Sequence, residues 1–229
     1  MVVFVAMVLA GCAVRPAGSG LDVARAALAG GDPGVALRVG GEVLARHPKD
    51  GDAMVLTGEA LAALGRVGRA VARLRDAVVV RPHDWGARMV LGRLLARRDP
   101  RGAAAQFRAV VAARAGDWVA WNDLGVVRDL RGRHRAARVA YRAALVARPG
   151  FRAARVNLAL SQALDGRAVA AARIMRAVGP GGSARVRADW AAVTAMAGHP
   201  AAARRMLGGV MSPEQVAAAV RAYAALGGT

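Results

Sequence analysis

The chain opens with an uncharged apolar stretch, and after it charged residues interrupt every apolar run. The opening stretch, Met1–Ala10, is too short to cross a bilayer, which takes about 20 residues. Its length is typical of the apolar region of a secretory signal. Because no later run approaches a spanning length without a charge, we expect the remainder to be soluble and mainly helical.

Small residues and prolines recur along this remainder at fixed distances. An alanine stands twelve residues before each of Pro48, Pro82 and Pro149, and a glycine seventeen residues before each. The alanines are Ala36, Ala70 and Ala137, and the glycines are Gly31, Gly65 and Gly132. Pro48 and Pro82 are 34 residues apart, and this spacing resembles the tetratricopeptide repeat, a pair of antiparallel helices. The resemblance implies an all-α fold, a right-handed superhelical solenoid of such repeats over residues 21–229.

The unit at 118–151 is the most complete of about five to six predicted repeats. Its small residues let the two helices approach, and a glycine permits the turn between them. Aromatic side chains fill space towards the neighbouring repeat, and a proline ends the second helix. These residues are Trp121, Leu124, Gly125, Gly132, Ala137, Tyr141, Ala144 and Pro149. The pattern at 51–84, 85–117 and 152–185 gives Gly58, Gly65, Ala70, Pro82, Gly92, Gly166 and Ala171. An alanine-rich bundle without repeats is the alternative that this spacing disfavours.

The end of the chain has the signals of one more helix. Ser212 is a favourable N-cap residue, and Pro213 suits the first helical position. The pattern continues to about Leu226, where Gly227 can end the helix. Because the last repeat of an array leaves an apolar face uncovered, we predict that this segment is a C-terminal capping helix.

The single cysteine directly follows the apolar stretch, in the sequence Leu9-Ala10-Gly11-Cys12. This resembles the lipobox of bacterial lipoproteins, in which the cysteine thiol receives a diacylglycerol group. The resemblance predicts a signal peptide at 1–11, lipidation of Cys12 and a flexible tether over 12–20. The non-acidic Ala13 implies anchoring in the outer membrane, facing the periplasm. No basic residue precedes the apolar stretch, which places the true translation start upstream. A chance cysteine in an apolar N-terminal segment is the alternative.

The last third of the chain carries a more specific pattern. Residues 152–167 read Arg-Ala-Ala-Arg-Val-Asn-Leu-Ala-Leu-Ser-Gln-Ala-Leu-Asp-Gly-Arg. A Gly-Pro-Gly-Gly break at 179–182 precedes Arg-Val-Arg-Ala-Asp-Trp-Ala at 185–191. An Ala-Gly turn at 197–198 and a short capped helix with a tyrosine follow. This order resembles TadD, the lipoprotein family of the tight-adherence (Flp) pilus, except that Trp190 replaces the leucine usual in the family.

This resemblance implies a function in pilus assembly. Such lipoproteins help an outer-membrane secretin to localise or oligomerise, by protein binding without chemistry. The partner implied is therefore a secretin or another pilus assembly component, and the membrane is engaged through Cys12. A generic lipid-anchored repeat adaptor for another export or cell-wall machine is the main alternative. A cytosolic adaptor with a misread start is a third.

The charge of the chain is strongly unbalanced. Basic residues outnumber acidic ones by 34 to 15, giving a net charge of +19, and all the basic residues except Lys49 are arginines. A nucleic-acid-binding protein would concentrate them on one face beside stacking aromatics. Here arginines spread along every repeat, so we expect no nucleic-acid partner. Two interpretations stay open: solvated helix faces in a protein from a GC-rich genome, and attraction to anionic lipid headgroups or an acidic partner.

The sequence offers little for catalysis. His47, His83, His134 and His199 lie beside prolines or inter-helix turns, without ligand-like helical spacing to a carboxylate. We therefore expect solvent-facing turn histidines. No nucleophile elbow, phosphate-binding loop or zinc-protease motif is present in the sequence. We expect no enzymatic activity, no cofactor and no metal.

The partner is expected to bind the inner surface of the solenoid, which first helices line. Positions 5, 9 and 12 of these helices are Val55, Glu59, Met89, Arg93, Asn122, Val126, Asp129 and Val156. They mix apolar side chains with scattered polar groups. This composition favours a hydrophobic or mixed peptide over one recognised by its terminal carboxylate.

Overall fold

The described part of the chain is entirely helical. A computed structural model describes residues 20–179 and 183–227, and there the chain forms thirteen α-helices. They are α1 Gly20–Ala29, α2 Pro33–Arg46, α3 Gly51–Ala63, α4 Val67–Val80, α5 Trp85–Leu95, α6 Pro100–Ala113, α7 Trp118–Leu130, α8 His134–Ala147, α9 Arg152–Leu164, α10 Ala168–Val178, α11 Ala184–Met196, α12 Pro200–Leu207 and α13 Pro213–Gly227. The predicted all-α class is confirmed. Cys12, Ala13 and the segment 180–182 lie outside the described residues, whereas Gly20, assigned to the tether, begins α1.

The helices fall in pairs into the repeats marked by glycine and proline. The repeats 51–84, 85–117, 118–151 and 152–185 each contain one pair of helices, from α3 with α4 to α9 with α10. The chain divides into two compact units, Met1–Arg73 and Leu74–Thr229. In the first, α1, α2 and α3 pack on one another. In the second, each helix from α5 to α11 packs on the helix that follows it. There, α7 also packs on α9, and α9 on α11, so the first helices of successive repeats are in contact.

Aspartates cap the N-termini of most helices from α1 to α7. Asp32, Asp50, Asp84, Asp99 and Asp117 each accept a hydrogen bond of 2.9–3.0 Å from the backbone N–H three residues later. Such side chains satisfy one of the N–H groups that a helix start leaves unpaired. The helices α8, α9 and α10 instead begin after Arg133, Phe151 and Arg167, without a side-chain cap. Because the chain has only 15 acidic residues against 33 arginines, its carboxylates cannot pair with every arginine.

Glycine has two separate tasks in the repeat. Gly132, in the turn between α7 and α8, has a φ of 67°, a conformation that a residue with a Cβ rarely adopts. Gly125 lies under the ring of Tyr141, and a Cβ there would overlap the ring. At Gly92 a Cβ would approach Phe107 Cε1 to 2.6 Å, so the same contact joins α5 to α6. Close helix approach therefore depends on an aromatic ring lying on a glycine.

The remaining repeat positions divide between the core and the turns. At most 1% of the residue surface is exposed at Ala70, Leu124, Ala137, Tyr141, Ala144 and Ala171. Gly58 is buried in α3, whereas Gly65 and Gly166 lie in turns with φ of 71° and 72°. Pro82 and Pro149 are exposed, each after the end of a second helix. The small alanines therefore lie where neighbouring helices meet.

In three successive repeats the residue at the fourth position makes the same hydrogen bond. Its side chain donates to the backbone carbonyl six residues earlier, in the turn that precedes the repeat. The pairs are Arg88 to Pro82 at 2.9 Å, Trp121 to Ala115 at 2.8 Å and Arg155 to Pro149 at 2.7 Å. Trp121 is half-buried. Arginine and tryptophan are interchangeable here because both present an N–H at the end of a long side chain.

The last helix covers the end of the second unit. Val216 and Val220 of α13 are buried against Ala191 of α11 and Leu207 of α12. Gln215 N–H donates to Ser212 Oγ at 3.3 Å, and Ser212 N–H donates to Gln215 Oε1 at 3.0 Å. This reciprocal pair is a capping box, which explains why α13 begins at Pro213.

Candidate functional site

A cleft of about 230 Å³ lies between α7 and α9, the first helices of two successive repeats. Its wall is mostly aliphatic, with polar groups at its base. The lining residues are Val126, Asp129, Leu130, Tyr141, Asn157, Leu160 and Leu164. Leu130 is 53% exposed and Leu164 is 41% exposed, so two leucines on neighbouring first helices present apolar surface at the cleft. The cleft therefore offers an apolar contact surface on the first-helix side of the second unit.

Asp129 organises the base of this cleft. It accepts hydrogen bonds from Tyr141 Oη at 2.9 Å and from Ser161 Oγ at 2.8 Å. His134 Nδ1 lies 2.9 Å from Asp129 Oδ1. Burial raises the pKa of Tyr141 far above its ordinary value, and the charge of Asp129 adds to the effect. Tyr141 therefore remains a neutral donor, and the carboxylate joins α7, α8 and α9.

This network changes the expected roles of two residues. Asp129 was expected to face a partner, but the three side chains around it occupy its oxygens. His134 was expected to face solvent in its turn, and that expectation is wrong because the ring is mostly buried against the carboxylate. The five residues that separate Asp129 from His134 include the turn, so helical spacing gave no sign of the pair. Both residues stabilise the shape of the cleft.

A second chain of polar contacts crosses the first helices beside the cleft. Arg93 Nε donates to Asp123 Oδ2 at 2.8 Å, linking α5 to α7. Asn157 Nδ2 donates to Asn122 Oδ1 at 2.9 Å, linking α9 to α7. Asn122 Nδ2 lies 3.4 Å from Asp123 Oδ1 and connects the two pairs. Asn122 is 8% exposed, so its assignment to the partner-binding surface is wrong, whereas Arg93 keeps about half of its side chain exposed.

The other predicted partner-facing residues have different environments. Val126 lines the cleft, and Met89 is half-buried on α5. Val55 and Glu59 are half-buried on α3, in the first unit. Val156 is 4% exposed and packs in a core cluster with Met175 and Val193. Its assignment to the binding surface is wrong, because α11 covers that side of α9.

Residues that the sequence reasoning missed complete the cleft. Leu130 and Leu160 were not among the candidates, nor were Asn157 and Leu164. Two of the pairs that line the cleft, Val126 with Leu130 and Leu160 with Leu164, are four residues apart, so each pair shares one helix face. That spacing was the available signal. Position 9 of α9 is Leu160, so the fixed positions 5, 9 and 12 include one of these residues, whereas Asn157 and Leu164 fall outside them.

One arginine is internal, contrary to the expectation that arginines lie on solvated helix faces. Arg138 of α8 is 4% exposed, and its Nη1 atom lies 2.8 Å from Asp165 Oδ2. The Nη1–H is not directed at that oxygen, so the contact is an ion pair without an aligned hydrogen bond. Arg167 Nε also approaches the same oxygen, at 3.4 Å, but Arg167 is largely exposed. Asp165 therefore balances a buried charge.

The described residues have neither a metal-ligand cluster nor a membrane-spanning helix. Within residues 20–179 and 183–227, no group of three histidine, cysteine or acidic side chains is placed to hold a metal ion. Over the same residues no helix is both long and apolar enough to cross a bilayer.

Comparison with known proteins places these observations in a family. A family model of the tetratricopeptide repeat matches residues 21–78, 63–98 and 93–150, together more than half of the chain. No curated protein sequence matches the chain. Two solved structures with similar folds are MamA 41-end from Desulfovibrio magneticus RS-1 and PilW, titled a widely conserved type IV pilus biogenesis factor.

The two structural matches differ in extent. MamA is 25% identical, with a TM-score of 0.66 over 69% of this chain and 90% of its own. PilW is 18% identical, with a TM-score of 0.74 over 89% of this chain and 96% of its own, and at this identity the likeness shows the fold alone. The helix pairs, the glycine turns and the family match agree. The chain belongs to the tetratricopeptide repeat family, whose members are protein–protein interaction scaffolds and typically non-catalytic.

Proposed function

We propose that this protein is a lipid-anchored scaffold that helps an outer-membrane secretin to localise or assemble during biogenesis of a Flp-type pilus. The observation that carries the proposal is the apolar cleft between α7 and α9, with exposed leucines on a repeat scaffold. The lipobox at Cys12 and the TadD-like order of residues 152–223 supply the envelope and pilus context. The fold likeness to PilW over most of the chain agrees with this context.

In the proposed mechanism the cleft binds an apolar side chain of the partner. Leu130 and Leu164 cover it from two sides, and burying a side chain of leucine size contributes about 1.5–3 kcal/mol. Asn157 keeps its carbonyl for the partner's backbone, since its amide donates to Asn122. The hydrogen bonds of Asp129 keep α7 and α9 in position, so the cleft is formed before the partner arrives.

The cleft is tested by replacing its exposed leucines. In cells, Leu130→Glu and Leu164→Glu should reduce secretin multimers in the outer membrane and reduce piliation, because each places an unpaired charge in an apolar contact. The matched controls are Val139→Glu and Val146→Glu on α8, which are also exposed but lie outside the cleft. Normal multimers in both leucine variants would refute the role of the cleft. An equal defect in the valine variants would show that added charge, rather than the cleft, matters.

The anchor is tested separately. Cys12→Ser should abolish incorporation of labelled palmitate and reduce secretin multimers in the outer membrane, because the scaffold would no longer be retained there. Normal multimers with normal piliation would refute the proposed role of lipidation. Failure of the unaltered chain to incorporate palmitate would support the cytosolic alternative.

A generic envelope adaptor is the second candidate, since repeat scaffolds serve many machines. Gene neighbourhood distinguishes the two candidates. Adjacent genes for a secretin and a pilus-assembly ATPase would favour pilus biogenesis. An adjacent polysaccharide synthase would favour the adaptor for another export system.

A further inference from the structure

Folding gathers five arginines that are spread over 33 positions of the sequence. Arg101 and Arg108 lie on α6, Arg128 and Arg131 lie at the end of α7, and Arg133 directly precedes α8. We refer to these five residues as the arginine patch. All of them belong to the unit Leu74–Thr229. The even spread of arginine in the sequence therefore becomes a local concentration on this surface.

The helices that carry the patch pack on one another. Because α6 packs on α7 and α7 on α8 in antiparallel order, the end of α7 lies beside the starts of α6 and α8. The electrostatics agree with this arrangement. Burial lowers the pKa of Arg128 from its ordinary value, and the charges of Arg108 and Arg133 lower it further. The pKa of Arg131 is also lowered, by desolvation and by Arg133, with smaller effects of Arg101 and Arg108. Like charges at short range disfavour one another. An anionic ligand beside these arginines would offset their mutual repulsion.

The described residues provide no carboxylate that neutralises the patch. None of its five arginines takes part in the ion pairs of residues 20–179 and 183–227. Arg128 Nη1 donates to the Ala136 carbonyl at 3.0 Å, and Arg108 Nε donates to the Ala104 carbonyl at 3.3 Å. The carboxylate of Asp129 is engaged by Tyr141 and Ser161. Arg101, Arg108 and Arg133 are exposed, whereas Arg128 and Arg131 are half-buried.

The chemistry of the patch favours an extended anionic surface over a specific peptide. Arg101 and Arg108 are two helical turns apart, about 10 Å along α6, so the patch is wider than one headgroup. Tight peptide sites depend on aromatic residues in pockets, and the arginine–tryptophan contacts of this protein lie elsewhere, at Arg88 and Arg148. Membrane attraction needs only clustered basic side chains near anionic lipids. The planar guanidinium also pairs with phosphate through two parallel hydrogen bonds.

We propose that the arginine patch binds the phosphate groups of anionic phospholipids and holds the second unit of the protein against a membrane surface. Arg128 is bonded towards α8, whereas Val126 and Leu130 line the cleft towards α9. The cleft therefore remains accessible while the patch is occupied. This inference goes beyond the proposed scaffold function, because it requires neither lipidation of Cys12 nor a secretin partner.

The test uses the full chain carrying Cys12→Ser, so that only the protein surface can bind. Sedimentation with phosphatidylcholine vesicles, with and without phosphatidylglycerol, measures affinity at low and high salt. We expect binding only to vesicles that contain phosphatidylglycerol, and weaker binding at high salt. Replacing Arg101, Arg108 and Arg131 by glutamine should lower the affinity about 100-fold, since each charge contributes roughly a factor of five.

The matched control removes the same charge elsewhere. Arg142, Arg176 and Arg221 are exposed on α8, α10 and α13, and their replacement by glutamine should lower the affinity less than about tenfold. Equal losses in the two triple variants would overturn the patch in favour of net charge. Absence of vesicle binding, with binding of poly-glutamate instead, would overturn it in favour of an acidic protein. If the patch variant does not fold, vesicle binding by the Cys12→Ser chain that is insensitive to salt would itself overturn the proposal.

Discussion

The buried ion pair between Arg138 and Asp165 leads to a sharp prediction about stability. Arg138 is almost fully enclosed, and Asp165 Oδ2 lies 2.8 Å from its Nη1 atom. Removing one partner of a fully buried pair costs about 3–5 kcal/mol, because it leaves an uncompensated charge. The Asp165 side chain is 32% exposed, so water reaches the pair and screens it. For Asp165→Ala we therefore expect a loss of about 2 kcal/mol in the free energy of unfolding.

The position of Asp165 makes this loss informative. It follows the C-terminal end of α9, where a negative charge is unfavourable to the helix dipole, so deleting it would otherwise stabilise the protein slightly. A net loss therefore reports the pair itself. The control is Arg167→Ala, which removes the exposed arginine 3.4 Å from the same oxygen and should cost less than about 0.5 kcal/mol.

Urea denaturation followed by tryptophan fluorescence measures these changes in the relevant unit. The four tryptophans are Trp85, Trp118, Trp121 and Trp190, all within Leu74–Thr229. The double-mutant cycle adds Arg138→Met, which replaces the buried charge by an apolar chain of similar length. In that background Asp165→Ala should cost less than about 0.5 kcal/mol. An equal cost in both backgrounds, or no cost in the unaltered one, would refute the reasoning.

Three further predictions concern local features of the second unit. Asp117→Ala should lower the free energy of unfolding by about 1 kcal/mol in urea denaturation, because α7 loses its N-cap. Asp117→Asn should retain most of this stability, because asparagine is also a good N-cap residue. Gly125→Ala should cost about 1–3 kcal/mol in the same assay, because its Cβ would overlap the Tyr141 ring; an unchanged midpoint would contradict that contact. Burial raises the pKa of Asp189, so its carboxyl holds a proton more tightly in the native protein than in the unfolded chain. The free energy of unfolding therefore falls as the pH rises from about 3.9 through the native pKa. Asp189→Asn should therefore raise the melting temperature at pH 7 and leave it unchanged at about pH 3, and a gain at both values would exclude this ionisation as the cause.

Much of the candidate site could not be read from the sequence. Tetratricopeptide spacing predicted both Val126 and Val156 on the inner surface, but only Val126 lines the cleft, and α11 covers Val156. The contacts that shape the cleft join residues 32 and 35 positions apart, Asp129 with Ser161 and Asn122 with Asn157. Such pairs depend on the rotation of each helix about its own axis. A shift of one residue turns a helix by about 100°, which is enough to exchange exposed and buried positions.

The sequence by itself determined the repeat architecture. Turn glycines, capping aspartates, small residues at helix contacts and helix-ending prolines answer local requirements of the backbone, so their spacing alone specifies pairs of helices. Only the tertiary structure decided which side chains meet. It placed Arg138 inside, enclosed His134 beside Asp129, and brought five arginines that are spread over 33 positions into one patch. The physical reason is that charge–charge and packing contacts depend on distances between helices, which no spacing within a single helix contains.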